Sequence, residues 1–253
     1  IQEAVGQQHA DHFYPSFAGV GRSLNYYPVG DELPADGVAE VAVGLGKYIV
    51  DGGMALRFSP RHPSHVLQTS TIDLALRDTQ RYFYALSTNV PEQDFSIDEG
   101  FDIERLRVDD AAKQGHLKYL VSTYDYQNDR LVDTDEGMGR KVVTFANVLQ
   151  HGVFPLAQSL DFMLSTGQQE MGRPVEIEFA GVMASPDEMK NGVRGSLYWL
   201  QIRPMVDRRE MLDEEVMNAP HQQVLISSNS ALGHGMMDGV KHVVMVKPDS
   251  FSM

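Results

Sequence analysis

The chain of 253 residues carries 35 acidic against 21 basic side chains, a formal charge of -14, with 42% hydrophobic residues, 22% charged residues and no cysteine. This is the composition of a globular chain able to bury a sizeable core as one large domain or two small ones. The acidic balance argues against a nucleic-acid or anionic-membrane partner, both of which reward clustered Lys and Arg, and the absence of cysteine excludes disulfides, thiolate zinc sites and cysteine nucleophiles.

Residues 1 to 6 form a short apolar-alternating run that predicts a strand stopping at Gly6. No secretory signal or initiator Met opens the chain, so a start at Ile1 inside a strand reads as a fragment of a larger protein. The missing cysteines and the lack of any run near the roughly 18 apolar residues of a membrane span are compatible with a cytoplasmic protein. Residues 13 to 28, aromatic and punctuated by glycine, predict strands and turns. Residues 38 to 53 predict a buried strand, a glycine turn and a further strand or short helix. Gly44-Leu45-Gly46-Lys47 lacks the second half of a dinucleotide fingerprint, and Tyr48 stands where a Walker loop needs Ser or Thr.

From Ser70 to Ser87 the spacing predicts a helix, with Ser70 or Thr71 as N-cap, Asp73 in the first turn, and Ile72, Leu76, Thr79 and Phe83 near one face. Residues 101 to 132 predict a β meander. Asp109-Asp110 and the run from Asp133 to Glu136 read as capping or solvated loop charges, without the ligand spacing of a calcium loop. A helix follows from Phe154 to Met171, with Pro155 in its first turn, Leu156, Leu160, Met163 and Leu164 on one side, and Gly172 at its end. After Pro204, residues 207 to 216 predict a helix, and residues 224 to 226 and 243 to 246 short strands. The pairs His9/His12 and His62/His65 are three apart but lack a third metal ligand, and His234 lies between glycines, a setting that could expose its imidazole.

Residues 174 to 204 organise the chain. Both arms alternate strictly, which predicts a hairpin. Val175, Ile177 and Phe179 share one face and Glu176 and Glu178 the other; in the second arm Tyr198, Leu200 and Ile202 oppose Trp199, Gln201 and Arg203. Charged positions on such a hairpin suit plain solvent exposure. They equally suit a divalent metal with phosphate, since hard oxygen ligands hold Mg2+ and Arg grips phosphate oxygens in a bidentate fork. A nucleotide bound with Mg2+ fits an acidic chain because the metal cancels part of the phosphate charge.

Glu176-Ile-Glu-Phe179 followed by Leu197-Tyr-Trp-Leu-Gln-Ile-Arg-Pro204 resembles the closing motif of the nucleotide-binding domain of phosphoenolpyruvate synthases and pyruvate phosphate dikinases. Glu40 through Gly46 are similar to that family's Glu-Ala-x-x-Gly-Leu-Gly-Glu, with Lys47 in place of the final Glu. Ala18 to Ser23 stand where the family has Ser-Gly-Val-x-Phe-Thr, with Arg22 replacing an aromatic residue and reaching either phosphate or solvent. The resemblance implies an α+β, ATP-grasp-like fold, an antiparallel sheet with flanking helices, partial in lacking the N-terminal small subdomain. Residues 1 to 205 would be the C-terminal part of the nucleotide-binding domain and 206 to 253 an extension toward the next domain.

It further implies an ATP-dependent phosphotransferase that uses ATP and Mg2+, phosphorylates a histidine and passes the group to pyruvate. Its partners would be the phosphohistidine and pyruvate-binding domains of the parent chain. Glu178 and Gln201 would ligate Mg2+, Glu176 would support that site, and Arg203 would stabilise charge on the moving phosphoryl group. Glu3 and Val5 would occupy the place of the strand whose backbone reads adenine, and Arg22 and Glu40 would lie near the phosphates. Two alternatives stand beside it: a dikinase with another acceptor, such as a glucan or an antibiotic, or a degenerate nucleotide-binding module without catalysis. In either event the isolated chain is expected to bind Mg-ATP weakly.

Overall fold

Strict alternation in some segments and i, i+4 spacing in others divide the chain into three antiparallel sheets with flanking helices, a mixed α/β architecture. The computed structural model describes residues 3 to 89, 96, 100 to 205 and 239 to 244. The chain forms two units, 1 to 205 and 206 to 253. In the second, the described residues 239 to 244 are exposed and carry no regular secondary structure. The expected helix at 207 to 216, the strand at 224 to 226 and His234 lie outside the described residues, while Val243 and Val244 form no strand.

In chain order the first unit contains β1 (Gln7–His9), β2 (His12–Tyr14), β3 (Phe17–Arg22), β4 (Val38–Val43), α1 (Lys47–Val50), β5 (Leu56–Phe58), α2 (Ile72–Arg77) and β6 (Tyr82–Ser87). It continues with β7 (Ile103–Arg107), α3 (Val108–Lys113), β8 (Val121–Asp125), β9 (Arg130–Val132), β10 (Arg140–Val143) and α4 (Ala146–Leu149). The last elements are α5 (Leu156–Met171), β11 (Val175–Met183), α6 (Pro186–Lys190) and β12 (Gly195–Pro204). The largest sheet runs β12-β11-β3-β4-β5; the others run β1-β2-β6-β7 and β10-β8-β9.

The predicted hairpin forms as β11 and β12, and the interval between them is closed by α6, whose Ser185 and Glu188 make a reciprocal capping box. The long helix also forms. Leu156, Leu160 and Leu164 are buried on one side of α5, and Gly172, at φ +67°, ends it in the left-handed conformation before the chain enters β11. Helix and sheet approach closely because Gly167 has no side chain: a Cβ there would lie 2.8 Å from Ile202.

On the same side of the large sheet Ile177, Phe179, Val41 and Phe58 are buried, each apolar side chain stabilising the fold by about 1.5–3 kcal/mol. The central strand β3 contributes Gly19 and Gly21 to this side. The ring of Phe179 lies across Gly19, where a Cβ would come within 2.2 Å of it.

Four expectations are corrected. Residues 3 to 6 carry no regular secondary structure, and the first strand is Gln7–His9. The helix capped by Thr71 ends at Arg77, where the Thr79 hydroxyl turns back to the Ala75 carbonyl, and Tyr82–Ser87 becomes a strand between β2 and β7. The 101 to 132 stretch is not one meander: α3 interrupts it, and β7 and β8 belong to different sheets.

The fourth concerns β12. A bulge opposite the Glu178/Phe179 step leaves Leu200 as the extra residue, so Trp199 pairs with Phe179 while Gln201 pairs with Glu178. Trp199 therefore faces α5 rather than joining Gln201 and Arg203, and Leu200 joins the polar side. Among the described residues no helix is long and apolar enough to cross a membrane.

Candidate functional site

Cross-strand partners share a face, so the pairing register alone sets two polar rows on the side of the large sheet away from α5. In one row Arg203 lies opposite Glu176, and Glu176 opposite Arg22. In the next, Gln201 lies opposite Glu178, Glu178 opposite Val20, Val20 opposite Glu40, and Glu40 opposite Arg57.

The first row is an ion network. Arg22 Nε donates to Glu176 Oε2 at 2.6 Å and its NH1 to Glu40 Oε2 at 3.2 Å. Arg203 Nε donates to Glu176 Oε1 at 2.7 Å, and its NH2 reaches the same oxygen. Burial pushes the Glu176 pKa up, but the hydrogen bonds and charges of Arg203 and Arg22 outweigh it, and the carboxyl sits below the usual range. Arg22 is the mirror case: burial lowers its pKa, and Glu176 and Glu40 raise it by more.

Beside these rows lies a largely apolar cavity of about 360 Å³. Its floor is small: Ala18, Val20 and Ala180. Val5 and Leu200 wall it, and Glu3, Lys47 and Glu178 bring charge to its rim. Along β11 the distance from Ala180 to Glu176 is four residues, about 13 Å at a strand rise of about 3.3 Å per residue. One continuous surface therefore passes from an apolar bowl to the Glu178 carboxylate and then to a pair of guanidinium groups.

Lys47 reaches the rim because Gly44, at φ +81°, turns the chain out of β4, and Leu45 N–H is fixed to the Tyr84 carbonyl at 3.0 Å. α1 then begins at Lys47, whose ammonium meets Asp51 at 3.3 Å. The family-like segment thus becomes a wall of the cavity.

The eight residues singled out from sequence fall into two adjoining groups. Glu3, Val5 and Glu178 line the cavity, with Gln201 paired to Glu178. Arg22, Glu40, Glu176 and Arg203 form the network. Both oxygens of Glu176 accept from guanidinium groups, so its carboxylate anchors two arginines. The side chains of Glu178 and Gln201, in contrast, make no hydrogen bond or ion pair to the described residues. Sequence reading missed Leu200 and the alanine floor, and singled out Lys47 only as a departure from the family's Glu; Ala180 shares the strand parity of Glu176 and Glu178, which was the available signal.

The donor set fits Mg2+ better than a metal held by protein alone. Among the described residues no group of three or more His, Asp or Glu could hold a metal ion. Mg2+, however, is commonly held by one or two carboxylates plus substrate phosphates, and Glu178 with Gln201 offers such a partial shell. The histidine pairs do other work: His12 meets Glu104 at 2.9 Å, and His62 meets Asp36 at 3.2 Å and stacks on His65. A polar cleft of about 550 Å³, where Arg61 bridges Asp36 and Asp161, contains none of the eight residues.

No protein-family model matches the chain, and no curated protein matches it.

Proposed function

We propose that residues 1 to 205 form the larger jaw of an ATP-grasp nucleotide-binding domain, similar to that of phosphoenolpyruvate synthases and pyruvate phosphate dikinases. The observation that supports this most is the single surface joining the apolar cavity to Glu178, Gln201 and the Arg203–Glu176–Arg22–Glu40 network. The cavity suits a purine, with the backbone of residues 3 to 5 at its edge. Glu178 and Gln201 would hold the Mg2+ of Mg-ATP, which supplies charge neutralisation to the phosphates when bound. Arg203 and Arg22 would steady negative charge on the phosphoryl oxygens, and Glu176 would keep both guanidiniums aimed. Phosphoryl transfer of this kind rests on positioning and charge neutralisation, consistent with a site that has oxygen ligands and arginines and no nucleophile.

In this reading the acceptor is a histidine and then pyruvate, both in other domains of a cytoplasmic parent protein. A glucan or an antibiotic as acceptor uses the same surface. The saturation of Glu176 by two arginines, together with Lys47 at the rim, supports a second reading, a nucleotide-binding module without catalysis.

The test is AMP formation from ATP and pyruvate by the protein that carries this chain, with Glu178→Gln and Arg203→Gln. Loss of AMP formation in both variants is the expected result, with unchanged thermal unfolding in Glu178→Gln and a modest decrease in Arg203→Gln, which leaves Glu176 with Arg22 alone. Wild-type turnover in Glu178→Gln would sink the assignment of the site. AMP formation that requires another acceptor would move the reading to that acceptor. No turnover with any acceptor, beside Mg-ATP binding that Glu178→Gln abolishes, would leave the non-catalytic module.

A further inference from the structure

In a chain with 35 acidic and 21 basic residues, a local excess of cations needs a cause. One lies away from the large sheet, where β7, α3 and the start of β10 meet. Val108 N–H donates to the Arg81 carbonyl at 3.0 Å, and Lys141 N–H to Asp109 Oδ1 at 3.2 Å, so the segments around 81, 108 and 141 are fastened together. Between them runs an open groove of about 740 Å³ lined by Arg107, Lys113, Arg140 and Lys141, with Arg81 beside it in an adjoining pocket. Arg81, Arg107, Lys113 and Arg140 thus bring four cationic side chains against two carboxylates in the lining, Asp109 and Asp110, while the Lys141 ammonium is turned to Thr123 and Gly137.

The carboxylates are already engaged. Asp110 meets Lys113 at 3.3 Å, and Asp109 binds the Lys141 amide and lies 3.6 Å from Arg107. Lys141 is nearly buried, its ammonium donating to Thr123 Oγ1 at 2.7 Å and to the Gly137 carbonyl at 3.1 Å, with Asp135 and Asp109 as its nearest negative charges. Arg140 is partly buried, makes no hydrogen bond or ion pair to the described residues, and feels both the like charge of Arg81 and the opposite charge of Asp109, which is already shared with Arg107 and the Lys141 amide. Arg81, Arg107 and Arg140 line one pocket, and the Arg140 guanidinium has no hydrogen-bond acceptor among the described residues, an arrangement that an anion bridging the guanidiniums completes.

We propose that this groove binds a phosphoanion carrying at least two charges, with Arg140 and Arg107 as its principal ligands. Guanidinium forks match the tetrahedral oxygens of phosphate bidentately, and Arg140 is held ready by the strand that begins at it. Lys113 adds a flexible charge at the rim. This site is additional to the Mg-ATP surface and does not depend on it: it uses no residue of β3, β11 or β12.

The experiment is calorimetric titration of the whole chain with inorganic pyrophosphate, without divalent cations and at fixed ionic strength. Saturable binding is expected, weakened roughly tenfold or more by Arg140→Gln and by Arg107→Gln, and unchanged by Arg203→Gln. Should Arg140→Gln fail to fold, the well-exposed Arg107→Gln carries the test. ADP in parallel separates a free anion from one borne on a nucleotide: tighter ADP binding that Arg107→Gln weakens and Arg203→Gln leaves unchanged assigns the latter, equal or tighter pyrophosphate binding the former. Unchanged affinity in Arg107→Gln, loss of binding in Arg203→Gln, or equal heat from chloride would overturn the proposal.

Discussion

Arg22 and Arg203 bind opposite oxygens of the Glu176 carboxylate, although their strands, β3 and β12, lie on either side of β11 and do not pair with each other. Removing the shared anion leaves two guanidinium groups facing each other across one strand. Glu176→Gln is expected to destabilise the chain by about 2 kcal/mol, moderated because the Arg203 side chain is 60% exposed. Urea unfolding of Glu176→Gln, Arg22→Gln and the double variant checks this: the double variant should lose less than the sum of the singles. Strict additivity would show that the pair contributes nothing.

The same carboxylate sets part of the acid limb. Its folded pKa lies below the ordinary glutamate value, so its stabilisation is complete above about pH 4.3 and is lost as pH falls through the lower folded value. Unfolding measured between pH 2 and 5 should be less steep in Glu176→Gln than in the wild type.

His9 acts in the same direction at higher pH. Burial, and then the neighbouring His116, lower its pKa from 6.5 to about 4, while its ring lies 4.4 Å from Tyr14 and 4.2 Å from His116. Between about pH 4 and 6.5 the unfolded chain binds the proton and the folded chain does not, so stability rises with pH across that window. His9→Phe should reduce the slope there by up to about one proton, with little change at pH 8. An unaltered slope would show that His9 titrates normally in the folded chain.

Gly19→Ala places a Cβ within 2.2 Å of Phe179 and 2.6 Å of the Glu40 carbonyl. Because one obstacle is backbone, the ring alone cannot relieve the contact. A loss of about 1–3 kcal/mol in thermal or urea unfolding is expected. Wild-type stability would mean that β3 and β4 separate more easily than their pairing indicates.

Deleting Leu200 tests the bulge. Trp199 already pairs with Phe179 and Gln201 with Glu178, so removal of the extra residue restores a regular ladder and keeps both faces. Stability should change little, while the cavity loses a wall and Mg-ATP affinity falls. Global unfolding of the deletion variant would show that Leu200 is needed for the fold itself.

Parity along a strand was legible in the sequence. It gave the hairpin, and it put Glu176 and Glu178 on one side. The helix ending at Gly172 was equally plain, since its leucine spacing and its terminating glycine agree. Tyr82–Ser87 was not, because Leu76, Thr79 and Phe83 also keep helical spacing and only pairing with β2 and β7 decides for the strand. The bulge at Leu200 breaks alternation without any glycine or proline to mark it, and so Trp199 was set on the wrong face. The network was invisible for another reason: Arg22 meets Glu176 across 154 residues of sequence, and only the strand order β12-β11-β3-β4 makes them neighbours.

That order turns the four charges into a checksum on assembly. Arg203, Glu176, Arg22 and Glu40 come from four successive strands, and their signs agree only when every strand is in step. A slip of one residue at β3 sends Arg22 to the apolar side of the sheet and puts Gly21 or Ser23 opposite Glu176. The charge is then buried among Ile177 and Leu164 without a partner, so misaligned sheets are penalised at the step where distant parts of the chain first meet. The row of charges proposed to hold phosphate also proofreads the fold.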